Sequence, residues 1–419
     1  MTPARRSGSV SPGRRAALDA LLAVESGAFA EEALARTAPE RGSDRALAWN
    51  VVRGVLRQQR ALDAMLGPLA HRPLHRLEPV VREVLRIGLW EILSHTAPPR
   101  AAVHEAVTLC REAGAPRAAG LVNAVLRRHA EAPTPSDRDA LSHPDWILDR
   151  WEARYGSEAT AAWARRSNEP APLALVARDP RLPGALADAG LEVREARANG
   201  RAVPDVLWIG GAPGPVTELP GWREGWFWVQ DPAAVAVADL VPVPAGLRVL
   251  DACAAPGGKA FRLAARGARV LAVDLDAHRL ARVAEGATRL GLSVDLRVHD
   301  WEDGPPDDLV ESFDAVLVDA PCSGLGTMRR HPEIRWRRSP EDLTRNAARQ
   351  GAILRAAARC LARRGCLVYA VCSPEPEEGA EVVAAFLADH PFLAIEAAWT
   401  SAPPQDDEDA FQAVRMVRG

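Results

Sequence analysis

The sequence predicts an all-α N-terminal domain followed by an α/β domain built on a parallel sheet. Two patterns predict this. Apolar residues recur at i, i+3, i+4 and i+7 from Arg14 to about Ala130, and short apolar runs alternate with helical patterns from about residue 172 onward. A chain of 419 residues is long enough for two or three domains. No apolar run approaches the ~18 residues that a membrane span needs, so we predict no membrane segment.

Changes of composition along the chain divide it into four parts. Residues 1–13 are predicted to be a disordered basic tail, because Ser, Pro, Gly and Arg dominate them. Residues 14–130 are predicted to form a compact helical domain of five to seven helices. Residues 131–170 read as a linker with connecting helices, and residues 171–419 as the α/β domain.

Seven short apolar runs predict the strands of the α/β domain. Two further runs near the end of the chain are expected to form an antiparallel pair. Because the seven runs alternate with helical patterns, such as those at 278–291 and 344–365, we expect a parallel sheet with crossovers on both faces. The seven runs are 173–178, 226–230, 247–253, 268–276, 293–300, 313–321 and 365–373, and the antiparallel pair is 392–399 with 410–418.

The charged residues are distributed unevenly in type and in position. Arginine supplies 51 of the 52 basic residues, and the only lysine is Lys259. Such a bias suggests that Lys259 occupies a place where a compact ammonium is needed. The whole chain has a net charge of -3, but residues 1–140 carry 20 Arg and 15 acidic residues, a net charge of +5. This basic front part indicates a polyanionic partner.

A loop of small residues, ACAAPGGK, follows the predicted strand that ends at Asp251. Ligands of open α/β sheets bind beyond the carboxyl ends of the strands, and small residues let them approach the backbone. The next two strands end in Asp274 and Asp300, which could accept hydrogen bonds from a ribose and an adenine. Three acids at successive strand ends favour a nucleoside cofactor over ordinary turn residues. Because the loop is neither GxGxxG nor a phosphate-binding P-loop, S-adenosylmethionine is favoured over a dinucleotide.

Cys322 and Cys372 each follow a predicted strand directly into a turn, whereas the patterns around Cys110, Cys360 and Cys366 indicate buried packing. No CxxC pair occurs, which argues against a zinc site. Two thiols beside a methyl donor suggest methylation of an unreactive carbon such as cytosine C5. A thiolate that adds to C6 makes C5 nucleophilic. The spacing alone does not tell which cysteine adds to the base.

Three blocks of the sequence, DACAAPGGK, DAPCSGLG and YAVCSPEPEEG, resemble the signature blocks of the Sun (Nop2/Sun-type) RNA 5-methylcytosine methyltransferases. GWFWVQDPAA at 225–234 resembles another block of that family. The helical front part resembles a NusB-like RNA-binding domain. The resemblance covers nearly the whole chain from residue 14 to 419, and it implies a Rossmann-like methyltransferase domain acting on RNA.

The resemblance also implies roles for individual residues. Cys372 would be the nucleophile at C6, Cys322 would assist removal of the C5 proton, and Asp319 would lie between the cofactor and the base. The implied cofactor-binding residues are Cys253, Ala254, Ala255, Pro256, Gly257, Gly258, Lys259, Asp274, Asp300 and Asp319. The chain departs from the family pattern at Ala260, Val371 and Gly379, where Thr, Thr and Asn are usual; none of these changes removes a reactive group.

The expected partner is RNA, and we expect it to be 16S rRNA before or during assembly of the small subunit. Transfer RNA is the alternative substrate. TMRRHPEIRWRR at 327–338 is predicted to contact RNA, with its arginines at phosphates and Trp336 stacked on a base. The alternative is a non-catalytic RNA-binding or assembly factor. A small-molecule methyltransferase is disfavoured by the helical domain. We expect a monomer in the cytoplasm, without a bound metal.

Overall fold

The computed structural model describes residues 10–40, 42–211, 214–243 and 245–418. It divides into two compact units. The helical unit comprises residues 1–170 together with 328–337, and the catalytic unit comprises residues 171–327 and 338–419. Most of the predicted disordered tail, residues 1–13, lies outside the described residues, but the first helix already begins at Pro12. None of the described helices is long and apolar enough to cross a membrane.

The helical unit is built almost entirely from α-helices, in agreement with the apolar periodicity of residues 14–130. Proline occupies the first position of three of them, where its missing N–H leaves no hydrogen bond unmade. The α-helices described in this unit are α1 (Pro12–Glu25), α2 (Ala30–Thr37), α3 (Ser43–Ala70), α4 (Pro79–Leu93), α5 (Pro99–Glu112), α6 (Ala119–Arg127), α7 (Asp137–Ala140), α8 (Asp145–Tyr155), α9 (Ser157–Ser167) and α14 (Ile334–Arg337).

Helix α4 forms the centre of this unit, with twelve of its fifteen residues buried. Gly54 of α3 lets the two helices approach closely, because a Cβ at that position would lie 2.1 Å from the ring of Trp90. Leu126 of α6 approaches Gly88 of α4 in the same way. The core of the unit therefore depends on small residues at the helix crossings.

The catalytic unit begins with a four-stranded antiparallel sheet, in the order β2-β3-β1-β4. Its strands are β1 (Leu173–Ala177), β2 (Glu192–Ala198), β3 (Arg201–Gly210) and β4 (Phe227–Val229), with helix α10 (Leu182–Asp188) after β1. The prediction that runs 173–178 and 226–230 join the parallel sheet is therefore wrong: β1 pairs antiparallel with β3 and with β4. The β2–β3 turn, Asn199-Gly200, has positive φ at both residues, a hairpin signal that the strand pattern alone misses.

A second sheet of seven strands forms the main body of the catalytic unit, in the order β10-β11-β9-β8-β5-β6-β7. Strands β5 to β9 pair parallel with one another, and β11 is antiparallel to both β9 and β10, which confirms the expected final pair. The strands are β5 (Arg248–Asp251), β6 (Arg269–Asp274), β7 (Val294–Val298), β8 (Phe313–Asp319), β9 (Leu361–Val371), β10 (Leu393–Thr400) and β11 (Gln412–Arg418).

Helices α12 (Gly258–Ala265), α13 (Ala277–Leu290) and α15 (Pro340–Ala358) connect the parallel strands as crossovers, as the alternating pattern predicted. Helix α11 (Pro232–Asp239) precedes β5, and α16 (Ala380–Asp389) leads from β9 to β10. The helix predicted at 344–365 ends at Ala358 instead, and the chain is already in β9 at Leu361. Short apolar runs do not reveal such a change, because periodicity fits helix and strand equally well.

The chain order of the strands reverses beside β5, since β6 and β7 lie on one side of it and β8 and β9 on the other. At such a switch point the loops after the two central strands separate and leave a crevice at their carboxyl ends. The predicted site residues follow β5, β6, β7, β8 and β9, so the topology directs them to that edge.

Candidate functional site

The loop between β5 and α12 forms a tight backbone turn at the switch point. Ala254 N donates to Val273 O at 2.9 Å, and Gly257 N donates to Ala254 O at 2.8 Å. Gly257 has a φ of 110°, and a Cβ there would lie 2.5 Å from the ring of Phe261. Only glycine fits this position, so the loop presents backbone to the crevice.

Asp274, at the end of β6, holds this loop through its carboxylate. One oxygen accepts from Ala255 N at 3.1 Å, and the other accepts from Asp276 N at 3.1 Å and from the Arg279 guanidinium at 3.4 Å. Asp274 is 5% exposed. Asp300, two residues beyond β7, accepts from Glu302 N at 2.9 Å and caps a short helical turn at Trp301–Asp303.

Lys259 and Asp319 form an ion pair at the centre of the switch point. Lys259 Nζ donates to Asp319 Oδ2 at 2.5 Å, and the side chains are 10% and 26% exposed. Burial lowers the pKa of Lys259, but Asp319, together with smaller contributions from Asp251 and Cys372, outweighs burial, and the net pKa is raised. The only lysine of the chain is thus a buried cation, as its retention among so many arginines suggested.

Asp251, the last residue of β5, was counted among the strand-end acids, but the sequence reasoning gave it no role in the site. Its carboxylate is fully buried, and neither oxygen has a side-chain hydrogen-bond partner among the described residues. Burial raises its pKa to about 7, assisted by the negative charge of Asp319; the Lys259 ammonium offsets this only partly. The sequence shows that Asp251 ends a buried strand and that it precedes the loop of small residues. It does not show that the carboxylate lacks a side-chain partner.

A cavity of about 600 Å3 opens beside the loop, within the size range of small-molecule sites. Asp251, Trp228 and Gln230 form part of its wall. Asp274, Asp300, Cys322 and Cys372 are not among the residues that line it. Seven of the predicted cofactor residues do line it: Cys253, Ala254, Ala255, Pro256, Gly258, Lys259 and Asp319.

The two predicted cysteines lie side by side, with 3.2 Å between Cys322 Sγ and Cys372 Sγ. Both are half-buried. The hydrogen bond to Cys372 raises the pKa of Cys322 well above its usual value, and burial adds to this effect. Burial also raises the pKa of the thiol of Cys253, with the charge of Asp251 as the next cause. Within the pair, Cys322 therefore keeps its proton more firmly than an ordinary thiol does.

Glu378 ties together the two loops that carry these cysteines, and the sequence reasoning did not single it out. Its side chain is fully buried and accepts from Ser323 N at 2.6 Å and from Ser323 Oγ at 2.5 Å. Asn346 and Gln350 of α15 also donate to it, at 2.9 and 3.4 Å. The EPEEG stretch after Cys372 contained this residue, but its burial was not visible from the pattern.

The arginine-rich segment 327–338 was predicted to contact RNA, and for Arg335 this prediction is wrong. Arg335 is fully buried within the helical unit and donates to Asn168 Oδ1 at 2.5 Å and to Ser167 O at 3.0 Å. Trp336 Nε1 donates to Leu56 O at 2.7 Å. Charge and aromatic content do not distinguish a packed segment from an exposed one, because a buried arginine can pair most of its donors with oxygens of the protein, as Arg335 does with both terminal nitrogens but not with Nε.

Comparison with known protein families matches two parts of the chain. Residues 239–416 match the family described as 16S rRNA methyltransferase RsmB/F, and residues 11–131 match the NusB family. The first match covers the seven-stranded sheet and all the predicted site residues, and the second covers helices α1 to α6.

Similar proteins and structures agree with these matches. The ribosomal RNA small subunit methyltransferase B of Thermus thermophilus is 41% identical over 90% of this chain and 88% of its own length. That of Citrobacter koseri is 35% identical over 90% and 91%. The crystal structure of the protein PH0851 superposes with a TM-score of 0.81 at 23% identity, over 98% of this chain and 99% of that one, which supports the fold. The chain thus belongs to the RsmB/F family of 16S rRNA methyltransferases, whose methyl donor is S-adenosylmethionine, and its helical front part is a NusB-type domain.

Proposed function

We propose that this methyltransferase modifies C5 of a cytosine in 16S rRNA through a covalent bond between Cys372 and C6 of the base. The observation that carries the proposal is the pair of thiols, 3.2 Å apart, beside the ion pair of Lys259 and Asp319. Methylation of an oxygen or an exocyclic nitrogen would have no use for two cysteines at this edge. The substrate is proposed to be the rRNA before or during assembly of the small subunit.

The residues at the switch point fit S-adenosylmethionine. When bound, this group supplies an electrophilic methyl group. We propose that residues 253–259 line its methionine end, that Asp274 holds the ribose and that Asp300 meets the adenine. The buried carboxylate of Asp251 supports this placement, because an acid without a side-chain partner in a cavity wall calls for a cation, and the methionine end carries an ammonium.

The pairing of the two thiols supports Cys372 as the nucleophile. Because Cys322 holds its proton firmly and is hydrogen-bonded to Cys372, Cys322 is the poorer nucleophile of the two. Cys372 is one of the groups that raise the pKa of Lys259, so the ammonium lies close enough to stabilise a thiolate there. We propose that Asp319, held by the same ammonium, accepts a hydrogen bond from the cytosine edge.

The sulfur of Cys372 forms a bond to C6, which moves electron density to C5 and makes that carbon nucleophilic. After C5 has gained the methyl group, Cys322, which releases its own proton to water once the sulfur of Cys372 is bonded to C6 and no longer hydrogen-bonded to it, takes the C5 proton as a thiolate. The electron pair of that C–H bond restores the C5–C6 double bond, and the bond between C6 and sulfur breaks to regenerate the Cys372 thiolate. The base must leave its stack to reach both thiols, which costs a few kcal/mol and least in an unpaired loop.

Separate replacement of the two cysteines tests this mechanism. Cys372→Ala prevents addition at C6, so we expect neither product nor a covalent protein–RNA adduct. Cys322→Ala permits addition and methylation but slows elimination, so an adduct should accumulate and migrate as a shifted band on a denaturing gel. Cys366→Ala is the matched control, because Cys366 lies in β9, the strand that Cys372 directly follows. This variant should retain activity without an adduct.

Each other outcome contradicts part of the proposal. An adduct with Cys372→Ala and none with Cys322→Ala would reverse the two roles. Activity of both variants without an adduct would exclude thiol addition. Bisulfite sequencing of 16S rRNA and transfer RNA, incubated with the wild-type enzyme, identifies the substrate. No new 5-methylcytosine in either RNA would favour a non-catalytic RNA-binding factor.

A further inference from the structure

A groove on the helical unit combines a large concave volume with an exclusively basic set of charges. It lies between α5 and α6 and has a volume of about 890 Å3. Arg100, Arg111 and Arg127 line it together with His104 and Asn123. None of the residues that line it, all within the described part of the chain, is acidic.

The three arginines are exposed and have no ion pair or side-chain hydrogen bond with any described residue. Other arginines of the unit either face carboxylates, as Arg14 does with Glu91 at 2.9 Å and Arg86 with Asp63 at 2.7 Å, or are exposed outside the groove, as Arg36 is; these three converge on one groove. Like charges that converge without counterions repel each other, and a polyanion would relieve the repulsion. The groove is therefore electrostatically incomplete in the free protein.

The groove has open space beside its backbone. Gly120 is one of the lining residues, and a Cβ at that position would have nothing within 4 Å, so a ligand can approach the backbone there. Helix α6 begins at Ala119 without a side-chain cap, so the positive end of its dipole adds to the arginine charges. The Asn123 amide offers both a donor and an acceptor beside them. Arginines supply bidentate contacts that match phosphate oxygens.

We propose that the α5–α6 groove binds the phosphodiester backbone of the rRNA substrate and supplies the main electrostatic contact of the helical unit. The inference rests on the proposed function, because it assumes that RNA is the substrate. Arg335 of the arginine-rich segment 327–338 is buried inside the unit, whereas the three arginines of the groove are exposed.

The test uses the full-length chain and an unmodified 16S rRNA transcript made in vitro. Affinity is measured over a range of salt concentrations for the wild type and for the variant with Arg100→Ala, Arg111→Ala and Arg127→Ala combined. If each arginine neutralises one phosphate, the slope of log K against log salt falls by about 2 to 3, and affinity at low salt falls at least about tenfold. Arg36→Ala, an exposed arginine on α2, is the control for a change of surface charge outside the groove.

An unchanged slope in the triple variant, with wild-type affinity for S-adenosylmethionine showing that the protein is folded, would overturn the groove proposal. An equal loss of slope per arginine for Arg36→Ala would also overturn it, since the effect would then be unspecific. Failure of the proposed function gives a different result: the wild-type enzyme would yield neither adduct nor 5-methylcytosine, whatever the triple variant does to RNA affinity.

Discussion

At the scale of single residues, Asp251 is a buried carboxyl group whose protonation should change when a cation enters the site. Its pKa of about 7 in the folded chain exceeds the usual value of about 3.9 for an unfolded Asp. Between these two values the folded state binds more protons than the unfolded state. The free energy of unfolding therefore falls as pH rises from about 4 to about 7, and at neutral pH the ionised carboxylate destabilises the fold.

A cation that pairs with Asp251 favours the ionised form, so binding of S-adenosylmethionine should release a proton. We expect affinity to rise between about pH 5.5 and about pH 7 and the calorimetric binding enthalpy to vary with the buffer in that range. Asp251→Asn should weaken binding, remove the buffer dependence and make the free protein more stable at pH 7.5 than the wild type. Asp295→Asn, an exposed acid on β7, is the control. A buffer dependence that survives in Asp251→Asn would show that another group releases the proton.

At the scale of elements, Glu378 joins three parts of the catalytic unit. Its carboxylate accepts hydrogen bonds from the loop after β8, through Ser323, and from α15, through Asn346 and Gln350, while Glu378 itself follows β9. Ser323 Oγ also donates to Ser373 Oγ at 3.2 Å, which links the residues next to the two cysteines. The separation of the two sulfurs therefore depends on this buried carboxylate.

Replacement of Glu378 tests whether this network positions the cysteines. Glu378→Gln keeps the shape but places an amide donor against groups that already donate, which should cost about 1–3 kcal/mol of stability. If the residue positions the thiols, the rate of adduct formation with Cys322→Ala as background should fall, while affinity for S-adenosylmethionine stays unchanged. Glu381→Gln, an exposed acid on α16, should leave both unchanged. A fall in cofactor affinity equal to the fall in adduct rate would indicate general loosening instead of positioning.

The elements also show what sequence patterns could predict. The helical periodicity and the strand ends at Asp251, Asp274 and Asp319 predicted the two fold types and the edge at which the site residues meet. Signals of this kind are local, because a strand end is marked by the residues on either side of it. Strand pairing is not local. The runs at 173–178 and 226–230 look like the others but pair with each other in a separate sheet, where the first of them also pairs with β3.

The sequence pattern also did not show which groups the charged side chains pair with. Lys259 was singled out by composition, yet its pairing with Asp319, sixty residues away, required the structure. Arg335 lies in a basic stretch and Arg100 does not, yet Arg335 is buried and hydrogen-bonded to oxygens of the protein, whereas Arg100 is exposed in a groove. Composition reports the charge of a segment, whereas function depends on which charges remain without a partner.

At the scale of the whole molecule, the two units are interleaved in sequence, because residues 328–337 belong to the helical unit. This ten-residue insert follows the Cys322 loop and is anchored by several contacts within that unit. Glu333 accepts from Ala30 N at 3.2 Å, and Arg57 donates to Arg329 O at 3.0 Å. Ile334 is buried. A cut in the chain near residue 170 therefore separates the insert from the surface on which it folds.

Residues 171–419 expressed alone should consequently bind S-adenosylmethionine but carry a loosened insert. Without residues 1–170, Ile334 and Trp336 lose their apolar surroundings and Arg335 loses its carbonyl partners, so residues 328–337 should open to solvent. Because the insert contains four arginines, brief digestion with trypsin should cut the fragment there, while the full-length chain resists. Trp336→Ala in the full chain should show intermediate cleavage, since it removes the hydrogen bond to Leu56 but leaves the other contacts. Equal protection of the insert in the fragment and the full chain would mean that it holds its structure without the helical unit, and low methylation by the fragment could then be assigned to lost RNA affinity alone.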